Sequence, residues 1–266
     1  MTVSVLSFTN VEEAARALSS EQDARVLGGG TLLMRDVNEG DQTFQKLIRL
    51  TDPRLREIRV EGNRIVIGAG ATMSDVIRSR DLSFLEAPAR AVGGPAIRNM
   101  ATVAGNLFAE PPYGDFATAL LALGATVEPV GSSPVSIDDF LRDRRRFDGR
   151  IVRSVSIERP RDANALRWLK VTRIKPKGVA VMSIAAYLSQ TEPPRVAYGN
   201  MGPSPVRAEA VERALAGGSL NEAGIRDALA VATQGLNPPT DALASEWYRR
   251  EVAPVHLRRL LLGEAA

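Results

Sequence analysis

Three consecutive glycines, Gly28-Gly29-Gly30, followed by Thr31 and Leu32, come directly after the apolar pair Val26-Leu27. Glycine brings bare backbone amides close to an anion, and successive amides that converge with no side chain in the way form an anion nest. A second small-residue stretch, Thr102-Val103-Ala104-Gly105-Asn106, permits the same close approach and adds hydrogen-bonding side chains at Thr102 and Asn106. Two such nests could hold a pyrophosphate. Asp115 opens an apolar stretch, Phe116 to Leu123. It reads both as a helix N-cap and as an acceptor for a ligand hydroxyl, because a carboxylate has two oxygens. Taken alone, the triple glycine reads equally as a flexible turn after a buried strand.

Competing nucleotide motifs fail on particular residues. Leu32-Leu33 stands where a phosphate-binding P-loop needs its lysine and hydroxyl residue, and Met73 occupies the third glycine position of a dinucleotide fingerprint begun at Gly68-Ala69-Gly70. With no cysteine there is no thiolate for an iron-sulfur cluster, a zinc site or nucleophilic catalysis. His256 is the single histidine, which excludes multi-histidine metal sites and leaves a serine triad without a credible base. No metal site and no catalytic residue is therefore assigned.

Composition sets the frame for these motifs. The 266 residues, 44% hydrophobic, can fill a real core, and 34 basic residues against 31 acidic leave a net charge of +3. So small an excess gives little reason to expect nucleic acid. The run Arg142, Arg144, Arg145, Arg146, Arg150 and Arg153 is interleaved with Asp138, Asp139, Asp143 and Asp148, which reads as a solvated face or a docking face for a partner subunit. No apolar stretch reaches the ~18 residues of a membrane span, and Met1 to Asn10 lacks the pattern of a signal peptide. The expectation is a cytoplasmic protein without membrane insertion.

The elements that must position the two glycine stretches follow from periodicity. Asn10 caps a helix with Ala14, Ala17 and Leu18 on its apolar face, and Arg25-Val26-Leu27 forms a strand. A helical turn at Leu32-Leu33-Met34 leads to a strand at Leu47 to Leu50. Strands around Ile58-Val60 and Ile65-Ile67 flank the turn Gly62-Asn63, and Thr72 with Asp75 makes a capping box. Helices are expected at Ser83 to Arg90 and after Asp115, the latter ended by Gly124 before a strand at Ala125 to Val130, with a further box at Ser136 and Asp139. Strands follow at Trp168 to Arg173, Val179 to Leu188 and Val196 to Gly199, then helices at Ala208 to Leu215 and Asn221 to Ala232. Pro254 should interrupt or kink a final arginine-rich helix, because proline lacks the amide donor and clashes with the preceding turn.

In combination these motifs resemble the medium, FAD-binding subunit of the carbon monoxide dehydrogenase and xanthine dehydrogenase family. The resemblance rests on Val26 to Thr31, Ile97 to Asn106, the Pro111 to Ala125 segment with its Leu-Leu-Ala-Leu-Gly-Ala end, Ile67 to Thr72, Ala197 to Pro203, Pro205 to Ala208 and Tyr248-Arg249-Arg250, in the family's order over nearly the whole chain. It implies an α+β fold: a two-lobed FAD-binding fold of the PCMH/VAO type, then a C-terminal α+β domain of the CO dehydrogenase flavoprotein type. The lobes would be residues 1–54 (α/β), 55–160 (on an antiparallel sheet) and 161–266 (a three-stranded sheet with helices), with FAD between the first two.

The same resemblance assigns Gly28, Gly29, Gly30, Thr31 and Leu32 to one pyrophosphate loop and Thr102, Ala104, Gly105 and Asn106 to the other. Asp115 matches a ribityl-contacting aspartate, Gly93 falls where the family approaches the flavin, and Val179 where it packs near the isoalloxazine. It implies an electron-transfer subunit of a molybdenum-containing hydroxylase, in a hetero-oligomer with an iron-sulfur subunit and a molybdopterin-binding large subunit. A stand-alone flavoenzyme on the same scaffold is the alternative, motivated by three departures: Leu32 for a usual aspartate, Ala104 for a usual glycine and Gly178 for a common aspartate.

Overall fold

A computed structural model describes residues 3–21, 23–41, 43–174 and 178–264. The chain forms two compact units: residues 1–82, 92–109 and 125–159 make the first, and residues 83–91, 110–124 and 160–266 the second.

The first unit opens with β1 (Ser4–Phe8), α1 (Val11–Ser20), β2 (Ala24–Leu27), α2 (Leu33–Asn38) and β3 (Lys46–Leu50). The strands form a parallel sheet in the order β1-β3-β2. The Asn10 side chain accepts from the Glu12 and Glu13 amides, and Val11, Ala14 and Leu18 bury the helix against Ala24 and Ile48. Strand β1 escaped the periodicity reading because four of its five residues are exposed, so no inward-facing alternation marks it. Next come β4 (Ile58–Glu61), β5 (Arg64–Gly68), α3 (Met73–Arg78), α5 (Pro95–Arg98), α6 (Val103–Phe108), β6 (Thr126–Pro129), β7 (Val135–Ser136), α8 (Ile137–Arg142) and β8 (Val152–Glu158). The strands make an antiparallel sheet, β4-β5-β8-β6-β7. Gly62-Asn63 turns the first hairpin, with Gly62 at φ 61°, a conformation that costs glycine little. The Thr72–Asp75 capping box forms reciprocally. The Ser136–Asp139 pair makes only half of one: the Ser136 hydroxyl accepts from the Asp139 amide and donates to its carboxylate.

The second unit contains α4 (Glu86–Arg90), α7 (Asp115–Ala122), β9 (Leu166–Thr172), β10 (Ala180–Tyr187), β11 (Arg195–Gly199), β12 (Val206–Arg207), α9 (Glu209–Leu215), α10 (Arg226–Ala230) and α11 (Glu246–Leu262). Residues 83–91 and 110–124, drawn from sequence with the middle lobe, thus pack with the C-terminal residues. The reason lies in α7, which is buried on every side and rests against β10 and β11. The antiparallel sheet has four strands, β12-β11-β10-β9, and not three, since the two-residue β12 is too short to show any alternation in sequence. The helix expected over Asn221 to Ala232 shrinks to α10. Pro254 neither interrupts nor ends α11, which runs through it with Ala253, Leu257, Leu260 and Leu261 buried. Packing of that face with Met182, Ile184 and Leu169 outweighs one missing backbone bond.

Arg249, fully buried in α11, ties this unit together. Its guanidinium donates to the carbonyls of Val181, Pro239 and Ala244 and pairs with Asp241 at 2.9 Å. An apolar replacement strands the buried Val181 carbonyl and releases Pro239, Ala244 and the Asp241 carboxylate, which lie nearer the surface. Arg249→Met should therefore lose about 3 kcal/mol or more, lowering the thermal midpoint by at least ~6 °C. Thermal melts followed by circular dichroism check this, and an unchanged midpoint refutes the clamp.

Candidate functional site

Within the first unit the two small-residue stretches meet. Gly28 to Leu32 link β2 to α2, and Thr102 caps α6 by accepting from the Gly105 amide at 3.1 Å. Contact between the stretches is made by backbone: a Cβ built on Gly29 would lie 1.7 Å from the Met100 carbonyl oxygen. One on Gly28 would lie 3.1 Å from the Thr102 hydroxyl. Gly29 is therefore bare to admit the neighbouring strand of chain, and its freedom from a side chain does not serve an anion alone. Gly30 takes φ 72°, where a Cβ is strained, and its carbonyl accepts from the Met34 amide to start α2.

The two stretches differ in what they offer a ligand. Among the described residues, the amides of Gly29, Gly30, Thr31 and Leu32 donate to no backbone carbonyl. In the second stretch Val103 donates to the Ala71 carbonyl, Ala104 to that of Ala69, and Gly105 and Asn106 to the Thr102 hydroxyl and carbonyl. One loop thus has amides without backbone partners among the described residues, and the other is a capped helix start packed against it. The capped start is anchored by α3, whose first amide, Met73, donates to the Ala101 carbonyl, and whose cap Thr72 bridges to Thr102. Two desolvation-opposing partners, Arg56 and Arg78, join Thr72 in holding the Asp75 carboxyl at about 2 although burial pushes it up. Ala104 lies inside α6, so its extra Cβ meets an ordinary helical backbone and that departure from the family is harmless. Gly93, in the same unit, is left-handed at φ 54°, and Arg98 donates to its carbonyl at 2.6 Å.

Asp115 and Val179 belong to the second unit. The N-cap of α7 is Gly114, left-handed at φ 91°, and Asp115 is the first helical residue. Its carboxylate is buried, 7% exposed, and accepts from the Lys170 ammonium on β9 at 2.7 Å through Oδ2. Lys170 also donates to the Ala91 carbonyl at 3.0 Å. Asp115 Oδ1 is buried with no hydrogen-bond partner among the described residues. Burial pushes the Asp115 carboxyl above its ordinary range, against the pull of Lys170 and of the nearby Ser183 hydroxyl. Thr118 and Ser183 place hydroxyls 3.5 Å apart beside Gly199, where a Cβ would lie 2.3 Å from the Ser183 hydroxyl. Sequence reasoning passed over Lys170 as a site residue. Its signal was a lone lysine between Leu169 and Val171 in an apolar strand. Val179 is half-buried before β10, and a Cβ on Gly178 would lie 2.5 Å from the Ile174 carbonyl oxygen.

The arginine run lies outside these stretches. Arg142 pairs with Asp138 and Asp139, Arg153 with Glu12, and Arg144 donates to the Ala109 carbonyl, while Arg145, Arg146 and Arg150 are exposed.

Bare, unpaired amides on one loop suit a pyrophosphate, and a buried acceptor suits a ligand with hydroxyl or N–H donors. The mixed α/β architecture accords with a dinucleotide-binding protein. The chain belongs to the family described as the FAD binding domain in molybdopterin dehydrogenase, matched over residues 1–160, followed by the CO dehydrogenase flavoprotein C-terminal domain over residues 170–263. It is an FAD-binding medium subunit of the molybdenum hydroxylase type, an oxidoreductase flavoprotein. It is 28% identical to the glyceraldehyde dehydrogenase medium chain of Sulfolobus acidocaldarius, over 92% of each chain. To the carbon monoxide dehydrogenase medium chain of Hydrogenophaga pseudoflava it is 26% identical, over 90% of this chain and 88% of that one. Reconstituted CO dehydrogenase from Oligotropha carboxidovorans superposes with a TM-score of 0.85 at 25% identity, over 100% of this chain and 99% of that one. Among the described residues, no helix is long and apolar enough to cross a membrane.

The packing separates two glycines that look alike in sequence. Gly29→Ala should push the loops apart and weaken FAD binding by about tenfold or more, the loss of at least one charge-assisted hydrogen bond. Gly28→Ala should keep near-normal affinity, because the Thr102 side chain can give by a few tenths of an ångström. Fluorescence titration of the apoprotein with FAD measures both, and equal losses would show that the loops do not touch as described.

Proposed function

We propose that this chain carries electrons for a hydroxylase whose substrate chemistry takes place on another chain. The observation that carries this reading is that, among the described residues, the four amides of Gly29 to Leu32 donate to no backbone carbonyl, in a chain with no cysteine and one histidine. The nest would hold the FAD pyrophosphate, with Gly28 to Leu32 on one side and Thr102, Ala104, Gly105 and Asn106 on the other. In this reading residues 1–54 and 55–160 are the two FAD lobes and residues 161–266 the C-terminal domain. Asp115 would accept from the ribityl chain, and Gly93 and Val179 would border the flavin ring. The chemistry the cofactor supplies is electron transfer between iron-sulfur clusters on a partner chain and an external acceptor.

The partners in this reading are an iron-sulfur subunit and a molybdopterin-binding large subunit, in a cytoplasmic hetero-oligomer. Relatives named as medium chains support it, since the term describes one component of an assembly. This chain's own contribution is positional: it binds the phosphates with backbone dipoles, orients the ring and excludes water around Asp115. It offers no thiolate relay and no imidazole base for hydroxylation.

Two measurements test the reading. The purified chain should be yellow and release FAD, not FMN, on denaturation, as chromatography of the supernatant shows. Anaerobic substrate should bleach the flavin only when iron-sulfur and molybdopterin-binding partners are co-expressed. Turnover of an organic substrate by the isolated chain at about one per second or faster, an ordinary enzymatic rate, would favour the stand-alone flavoenzyme.

A further inference from the structure

Strand β11 ends its pairing with β10 at Ser183 and Gly199, and the next residue, Asn200, turns aside into the left-handed region at φ 61°. Among the described residues it is the one non-glycine with a positive φ. The first residues of β10, Ala180 to Met182, therefore lie past the end of the β11 ladder. Side chains take the ladder's place there. The Asn200 amide donates through Nδ2 to the Ala180 carbonyl at 2.9 Å and, at a longer 3.4 Å, to the Pro112 carbonyl, while Arg249 Nε donates to that of Val181 at 3.0 Å. Asn200 is 5% exposed, and it shares the second unit with Pro112 and Ala180. Both acceptors are carbonyl oxygens, so the side chain meets them as a donor only. Glycine takes such a φ at no steric cost. What asparagine adds at this turn is the amide.

We propose that Asn200 is a positioning residue for the flavin ring: its amide joins the segment ahead of α7, at Pro112, to the start of β10, at Ala180, and so fixes Val179 beside the bound cofactor. The proposal rests on the FAD reading above, which puts Val179 at the ring, and adds to it a residue that acts through the backbone of its neighbours. Val179 precedes β10 and has no strand partner of its own among the described residues. On the β9 side, the pairing of Ala180 with Thr172 is followed by a register shift before Met182, so that ladder is irregular at the same place. Both neighbouring strands thus leave the start of β10 incompletely paired. Loss of the Asn200 amide frees this end to shift while Ser183 to Tyr187 stay paired with β11.

The test removes the amide and keeps the turn. Asn200→Gly retains the left-handed backbone without either side-chain hydrogen bond, and Asn200→Asp keeps the shape but sets a carboxylate against two carbonyls. Asn200→Gly apoprotein should melt within about 4 °C of wild type. It should bind FAD about tenfold or more weakly in a fluorescence titration. At saturating FAD its bound flavin should show a visible circular dichroism different from that of wild type, because the ring lies in altered surroundings. Asn200→Asp should lose at least as much affinity. An unchanged visible dichroism in Asn200→Gly overturns the proposal, whether or not affinity falls, since general loosening of the unit weakens binding without re-aiming the ring. Wild-type FAD affinity in that variant overturns it equally. Should Asn200→Gly fail to fold, Asn200→Asp, whose side chain tolerates the same backbone region, is judged by the same two readouts. Failure of the wild type to bind FAD at all would sink the FAD reading, and this proposal with it.

Discussion

Backbone pressed against backbone is the constraint on which the candidate site depends. At Gly29 the chain passes so close to Met100 that no side chain of any kind fits, and at Gly68 a Cβ would meet the Leu55 carbonyl oxygen at 2.3 Å. The first contact brings the two loops together. The second holds the start of the antiparallel sheet on the segment that follows β3. Such contacts are specific because they have no tolerance: a single methyl group forces one segment away from the other. They also leave amides near the surface without side chains to screen them, which is the condition for holding an anion by backbone dipoles.

The two stretches divide the work in a way their similar composition hides. Gly28 to Leu32 have amides to spare because the chain there is leaving a parallel strand and has not yet entered α2. Val103 to Asn106 spend theirs on the unit itself, on Ala71, on Ala69 and on the cap made by Thr102. Those bonds fix the second stretch in the unit, and the first is packed against it at Gly29 and Met100.

In the second unit the polar layer beneath α7 has a different logic. A helix buried on all sides can carry a carboxylate only if a charge and hydrogen bonds accompany it. Asp115 has the charge in Lys170, while its second oxygen accepts no hydrogen bond among the described residues. Arg249 shows the contrasting case, a buried cation whose donors are met by carbonyls and a carboxylate of the same unit. It is structural for that reason.

The sequence by itself determined the local devices: the Asn10 cap, the Gly62-Asn63 hairpin, the Thr72–Asp75 box, the glycine run after β2 and the family to which their order belongs. These are legible because each depends on residues within a few positions of one another, where backbone geometry and side-chain chemistry act alone. Tertiary structure alone decided the rest. Exposure of both faces hid β1, and brevity hid β12. Face packing carried α11 through Pro254 against the local preference of proline. The pairing of Lys170 with Asp115, 55 residues apart, and the opposition of Gly29 to Met100 depend on which segments the fold brings together. No local pattern encodes such contacts, because their energy comes from burial and close packing between distant parts of the chain.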